Sequence, residues 1–188
     1  MKKERYSKGA VYVAIFIAAI MVTSVLGFIF GERSQESMNY GKHNFDKKNL
    51  KWVTKINGKE ASFDYFPAEV ELINLSDSAA NSILNSKMVY VTYDPNQTNE
   101  DLGVAQFDLN QQLMLLNIYV GNGMTASNKY GIPIITCKNA TQFVPVVVLE
   151  SSTSNVIKEE GNCIILDGNP LMLKDRLLYS VFGVIKNG

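Results

Sequence analysis

Hydrophobic and polar positions follow three rhythms along this chain. From Ala10 to Phe30 (AVYVAIFIAAIMVTSVLGFIF) no residue is charged. A helix over this run would be roughly 30 Å long, matching a bilayer's hydrocarbon core, and would satisfy its own backbone polar groups, which lipid cannot do. Residues 31–50 are then polar and interrupted by Gly31 and Gly41, the pattern of a juxtamembrane linker. Beyond them strand-like and helix-like periods alternate to the end of the chain.

Trp52, Thr54 and Ile56 alternate with Val53 and Lys55, Asn57-Gly58 suits a two-residue turn, and Ala61, Phe63 and Tyr65 share a face of the returning strand, ended by Pro67. Ser76 can cap a helix to about Ser86 that buries Ala79, Ala80, Ile83 and Leu84. Met88 to Tyr93 reads as a buried strand, and a helix follows with Leu102, Ala105, Leu109, Leu113 and Leu116 at helical spacing. Asn117 to Val120 reads as a strand broken by Gly121-Asn-Gly. Ile132 to Thr136 and Phe143 to Glu150 read as strands, and Asn155 to Leu166 as a hairpin. The last helix, Leu171 to Ile185, has an apolar face wide enough to cover a sheet. The expected fold is α/β or α+β: a transmembrane helix, then one mixed-sheet domain with an N-terminal hairpin and a C-terminal amphipathic helix. The aromatic set Trp52, Phe63, Tyr65, Phe66, Tyr90, Tyr93 and Tyr119 is expected to form sheet core.

Charge orients the anchor. Lys2, Lys3, Arg5 and Lys8 oppose only Glu4 before the apolar run, and Glu32, Arg33 and Glu36 follow it. Positive charge stays cytoplasmic, so residues 1–9 are expected inside, 10–30 in the membrane, and 51–188 outside as the folded domain. A cleaved secretory signal is the alternative, but its apolar run is usually about 7–15 residues and Val25-Leu26-Gly27 is a poor cleavage site. From residue 31 onward fourteen Lys and Arg face seventeen Asp and Glu, with no basic run. That argues against nucleic acid as a partner and against tight docking on anionic lipid heads.

An oxidising exterior changes the reading of the two cysteines. Cys137 and Cys163 form no C-x-x-C, and an even count outside the cytoplasm favours a bond between them. Each lies at the end of an expected strand, and breaking the bond is expected to loosen the last helix. Three sequons (Asn74, Asn96 and Asn139) fall on the same side as candidate glycosylation sites.

Ser7-Lys8-Gly9-Ala10, basic then small then apolar, resembles the cleavage site of archaeal type IV pilin precursors over about a dozen residues. The resemblance implies a filament subunit processed at Gly9, whose helix would continue beyond the apolar run; the glycines at 31 and 41 favour a linker instead. Candidate chemistry is sparse. His43, the one histidine, sits in the expected linker as a solvated residue. No nucleophile elbow, phosphate loop or metal-ligand spacing is present. Asp94, Asn96, Glu100 and Asp101 form the best polar constellation, a candidate ligand loop between strand and helix. An Asx-turn joined to a helix cap explains the same residues. No catalytic residue, cofactor or metal is therefore expected. The expectation is a single-pass protein holding the bilayer through residues 10–30 and acting, without catalysis, in binding or assembly with a protein partner as a subunit of a membrane or cell-surface complex. A membrane-anchored enzyme with a site near Asp94–Asn96 stands as the alternative.

Overall fold

The computed structural model describes residues 8–31 and 36–186. Met1–Ser7 of the basic tail, Glu32–Gln35 of the linker and the last two residues lie outside them, and with them most of the charges that orient the anchor. The chain divides into two units, Met1–Glu36 and Ser37–Gly188. In the first, helix α1 runs Lys8–Gly31 over 24 residues. Its side chains are described at Gly9 and from Val11 to Val25, all exposed. Among the described residues no helix is long and apolar enough to cross a membrane. The transmembrane reading therefore rests on the sequence.

The second unit is mixed α/β with two sheets where one was expected. Strands β1 (Ser37–Tyr40), β2 (His43–Lys48), β3 (Lys51–Ile56) and β4 (Lys59–Phe63) form an antiparallel meander. Two of them lie in the stretch read as linker. Asn39, Asn44 and Lys47 make that stretch look polar, but a meander needs only one apolar face, and Phe45 supplies it, fully buried. The short helix α2 (Pro67–Val70) and α3 (Asp77–Leu84), capped by Ser76, follow.

Strand β5 (Met88–Tyr93), helix α4 (Asp101–Leu113) and strand β6 (Tyr119–Met124) make a parallel crossover unit. Strands β7 (Val146–Ser151), β8 (Val156–Glu160) and β9 (Cys163–Gly168) complete a second sheet, ordered β6-β5-β7-β9-β8. Only β8 runs antiparallel, at the edge. Helix α5 (Pro170–Val181) ends the fold, its first two amides capped by the Asn169 side chain.

The helices lie between the sheets. Val89, Val91, Val147, Leu149, Ile164 and Leu166 project from the parallel sheet into the same core as Leu102, Leu109, Leu173 and Leu177 of α4 and α5. From the other side Phe63 stacks on Tyr179 with ring centres 4.1 Å apart, and Phe45 meets the same ring edge-on. Gln106 of α4 donates to the carbonyls of Val91 and Gly123, and Gln112 donates to Ser62. Each amide serves the sheet it faces.

Four expectations are corrected. The last helix is not amphipathic with a wet face: Leu173 to Val181 are all buried, because a sheet lies on either side. Gly121-Asn-Gly does not break β6. A Cβ on Gly121 would lie 2.6 Å from the Tyr90 ring, and one on Gly123 2.7 Å from Ile135, so these glycines make room for neighbours within a continuous strand. Ile132 to Thr136 is not a strand; it touches β6 by one isolated bridge, Met124 with Ile134. Tyr119 is 65% exposed, so it leaves the aromatic core that Trp52, Phe63 and Phe66 do join.

Candidate functional site

After β5 the chain goes to β6 at one edge of the sheet and after β7 to β8 at the other, and in parallel sheets the crevice beyond such a diverging pair is where ligands gather. The loop after β5 carries the sequence candidates. Asp94 Oδ1 accepts from the Asn96 backbone and side-chain amides, both at 2.9 Å, which is an Asx-turn. Asn99 Oδ1 accepts from the Asp101 amide at 3.0 Å and so opens α4. The crevice itself is spanned: Asn99 donates to Ser151 Oγ at 2.8 Å, and the Ser151 amide donates to Gln97 Oε1 at 2.9 Å. Beside it lies a hollow of about 320 Å³ walled by Tyr93, Gln97, Glu100, Gly103, Met124 and Tyr130. Glu100 and Asp101 make the start of α4 acidic, so a phosphate there would meet carboxylates along with the helix amides. The structure joins Asp94 to Asn96, sets Glu100 on the hollow and spends Asp101 on the helix. Among the described residues no group of three or more His, Cys, Asp or Glu could hold a metal.

A second constellation, absent from the sequence reading, is charged and buried. Lys174 Nζ lies 2.7 Å from Asp64, 3.0 Å from Asp108 and 2.9 Å from Asp175. Lys51 Nζ lies 2.8 Å from Asp108 and 3.2 Å from Asp64. Asp175 Oδ2 accepts the backbone amides of Asp64 and Tyr65 at 2.7 and 2.8 Å. Its Oδ1, though close to Lys174, makes no hydrogen bond. Burial pushes Asp175 up to about 6, against the pull of Lys174. Burial also opposes the charge on Lys174, but Asp175, Asp108 and Asp64 outweigh it and raise its pKa. Burial would raise Asp108 too, yet Lys174 and Lys51 hold it below its ordinary value. A lysine held charged by three carboxylates is neither a nucleophile nor a base. This cluster ties the end of β4 to α4 and α5. Its signal was Lys174-Asp175-Arg176 amid the apolar run of α5, charges that an amphipathic reading sends to solvent.

His43 is likewise not a linker residue. It is half-buried at the start of β2, and burial, then Lys42, pushes its pKa down.

The outer face of the parallel sheet is the remaining feature. Helices cover the inner face, but residues 125–145 cross the outer one with only a 3-10 turn, Cys137–Asn139. This strap is held by backbone bonds of Pro133 and Ile135 to Met124 and at three further places. Gly123 lets Ile135 approach, Thr92 Oγ1 donates to the Ile135 carbonyl at 3.0 Å, and Cys137 is bonded to Cys163 with Cα atoms 5.2 Å apart. The expected disulfide is present, although Cys137 sits in the 3-10 turn and only Cys163 begins a strand. Val146, Val148 and Cys163 are buried beneath the strap. Outside, Tyr130, Ile134 and Phe143 of the strap and Tyr119 of β6 are exposed, Phe143 by 79%. The sequon residues Asn74, Asn96 and Asn139 are also exposed. Comparison of the chain with protein-family models, with curated proteins and with solved structures finds no match.

Proposed function

We propose that this chain is a single-pass membrane protein whose domain from Ser37 onward faces outward and binds a protein partner without catalysing a reaction. The Cys137–Cys163 disulfide carries the reading, because such bonds persist in oxidising compartments. The uncharged run Ala10–Phe30 with basic residues before it supports the same orientation. Large apolar side chains standing out from the strap suit contact with another protein. The polar loop after β5 is engaged in its own turn, which weakens the enzyme alternative near Asp94–Asn96. A pilin-like subunit would continue its helix; here α1 ends at Gly31 and a strand begins at Ser37, which favours the anchored domain.

The test is protease treatment of intact cells carrying the chain with a tag at each end. Cleavage is expected at residues 32–36, releasing an intact domain while the N-terminal tag stays protected. Digestion of the N-terminal tag with the domain protected would reverse the orientation. A photo-crosslinker at Phe143 should then capture a defined protein that the same crosslinker at Asn57 does not. Equal capture at both positions would remove the strap as the binding face.

A further inference from the structure

Helix α4 has two apolar faces. Leu102, Ala105, Gln106, Leu109, Gln112 and Leu113 are buried, and Asp108 turns toward Lys51 and Lys174. The opposite face holds Val104, Phe107, Gln111 and Met114, the last opening a 3-10 turn, Met114–Leu116, that continues the helix. Where a helix has already buried one face, its outward positions are ordinarily charged or polar. Here three of the four are large and apolar, exposed by 44% at Val104, 62% at Phe107 and 54% at Met114. Gln111 is exposed with them.

Their spacing says what kind of surface this is. Steps of three, four and three residues set the side chains in one narrow seam, the a and d positions of a heptad. Another helix fits such a seam, and a single polar residue at an a position is a device that fixes register. Helix α5 is not that helix, because it meets α4 on the side of Asp108. Gly103 and Asn110, which flank the seam, carry no charge.

Charges at the two ends say which helix fits. Glu100 and Asp101 stand at the start of α4. At its other end Lys59 Nζ donates to the Leu115 carbonyl at 3.2 Å, and the Lys87 carbonyl accepts the Tyr119 amide at 2.9 Å. Glu100, Lys59 and Lys87 are all exposed. The seam is thus uncharged along its length, acidic at one end and basic at the other. Turned end for end on a copy of itself, it sets acid against base and opposes the two helix dipoles. Parallel pairing would set like charge on like.

We propose that two copies of this chain associate through α4, antiparallel about a two-fold axis at the level of Leu109. Val104 of one copy then meets Met114 of the other, and Phe107 lies beside Gln111. This contact needs neither the strap nor the anchor's orientation. One helix a side is less than the roughly 20–30 residues of a standard interface, so the pairing is reversible.

The full chain is taken up in a non-ionic detergent, and its mass is followed by sedimentation equilibrium at matched detergent density. Wild type should pass from one chain to two as concentration rises. Phe107→Lys should raise the dissociation constant at least about tenfold yet melt as wild type does, because Phe107 is exposed. Cys137 and Cys163 are already bonded to each other, so single added thiols report the geometry. Val104→Cys and Met114→Cys chains, once mixed, should be joined by a short bismaleimide, and neither should join to itself. A wild type that is monomeric at every concentration overturns the proposal. Undiminished pairing in Phe107→Lys overturns it too, by placing the contact elsewhere, and self-joining of Met114→Cys does so by marking parallel helices.

Discussion

Lys174 and Asp175 are neighbours on α5, both without solvent contact, and Asp175 is the one whose charge the fold opposes. Its pKa in the fold, pushed up to about 6, exceeds the roughly 3.9 of an unfolded aspartate, so the native state holds the proton more tightly. Stability from this group is therefore fully present in acid and is lost as pH rises through about 6. His43 acts in the opposite sense over the same window, because its lowered pKa favours the neutral native form above about 6.5. The comparison is accordingly between wild type and Asp175→Asn, which share His43. Urea unfolding from pH 5 to pH 7.5 should show wild type losing about 1.4 kcal/mol relative to the variant. Parallel curves would mean that Asp175 stays charged throughout. None of this was legible in Lys174-Asp175-Arg176 alone. A charged triplet in a helix usually marks the wet face, and only Asp64 and Asp108, far away in sequence, make burial tolerable.

Elements differ in how much of their shape is local. Ser76 caps α3, and β5 occupies Met88–Tyr93 as its run of β-branched and aromatic residues implies. β6 defied local reading, since its glycines serve Tyr90 and Ile135 across the sheet. The strap has one short regular element, the 3-10 turn Cys137–Asn139, so its order depends on the disulfide and a few bonds to β5 and β6. Replacing Cys137 and Cys163 with Ala removes a crosslink of sequence separation 26 and should lower stability by about 3 kcal/mol on the chain-entropy view. Amide exchange should quicken across residues 125–145. The amides of α5 should keep their protection, contrary to the expectation from sequence, because α5 is packed between two sheets. Loosening of α5 with an unchanged strap would place the disulfide's effect elsewhere.

At the scale of the whole molecule, the meander and the parallel sheet share one hydrophobic core through the helices between them. A chain beginning at Ser37 retains all of that core, so it should fold as a soluble domain with the near-UV spectrum and melting temperature of the whole chain. A drop of about 5 °C or more on removing residues 1–36 would show that the first unit stabilises the second. The sequence by itself determined the apolar helix-forming run, the mixed α/β class and most strand and helix positions, because these follow from hydrophobic period and capping within a few residues of chain. It also pointed to the Cys137–Cys163 bond, because two cysteines admit one pairing. It did not reveal that the polar stretch after Gly31 supplies two strands, since one buried Phe45 is too faint a period. Nor did it separate the two sheets, bury Lys174 and Asp175, or leave Tyr130, Ile134 and Phe143 exposed on a thin strap. Those depend on which faces meet across the core, a property of contacts between distant segments that only the tertiary structure decides.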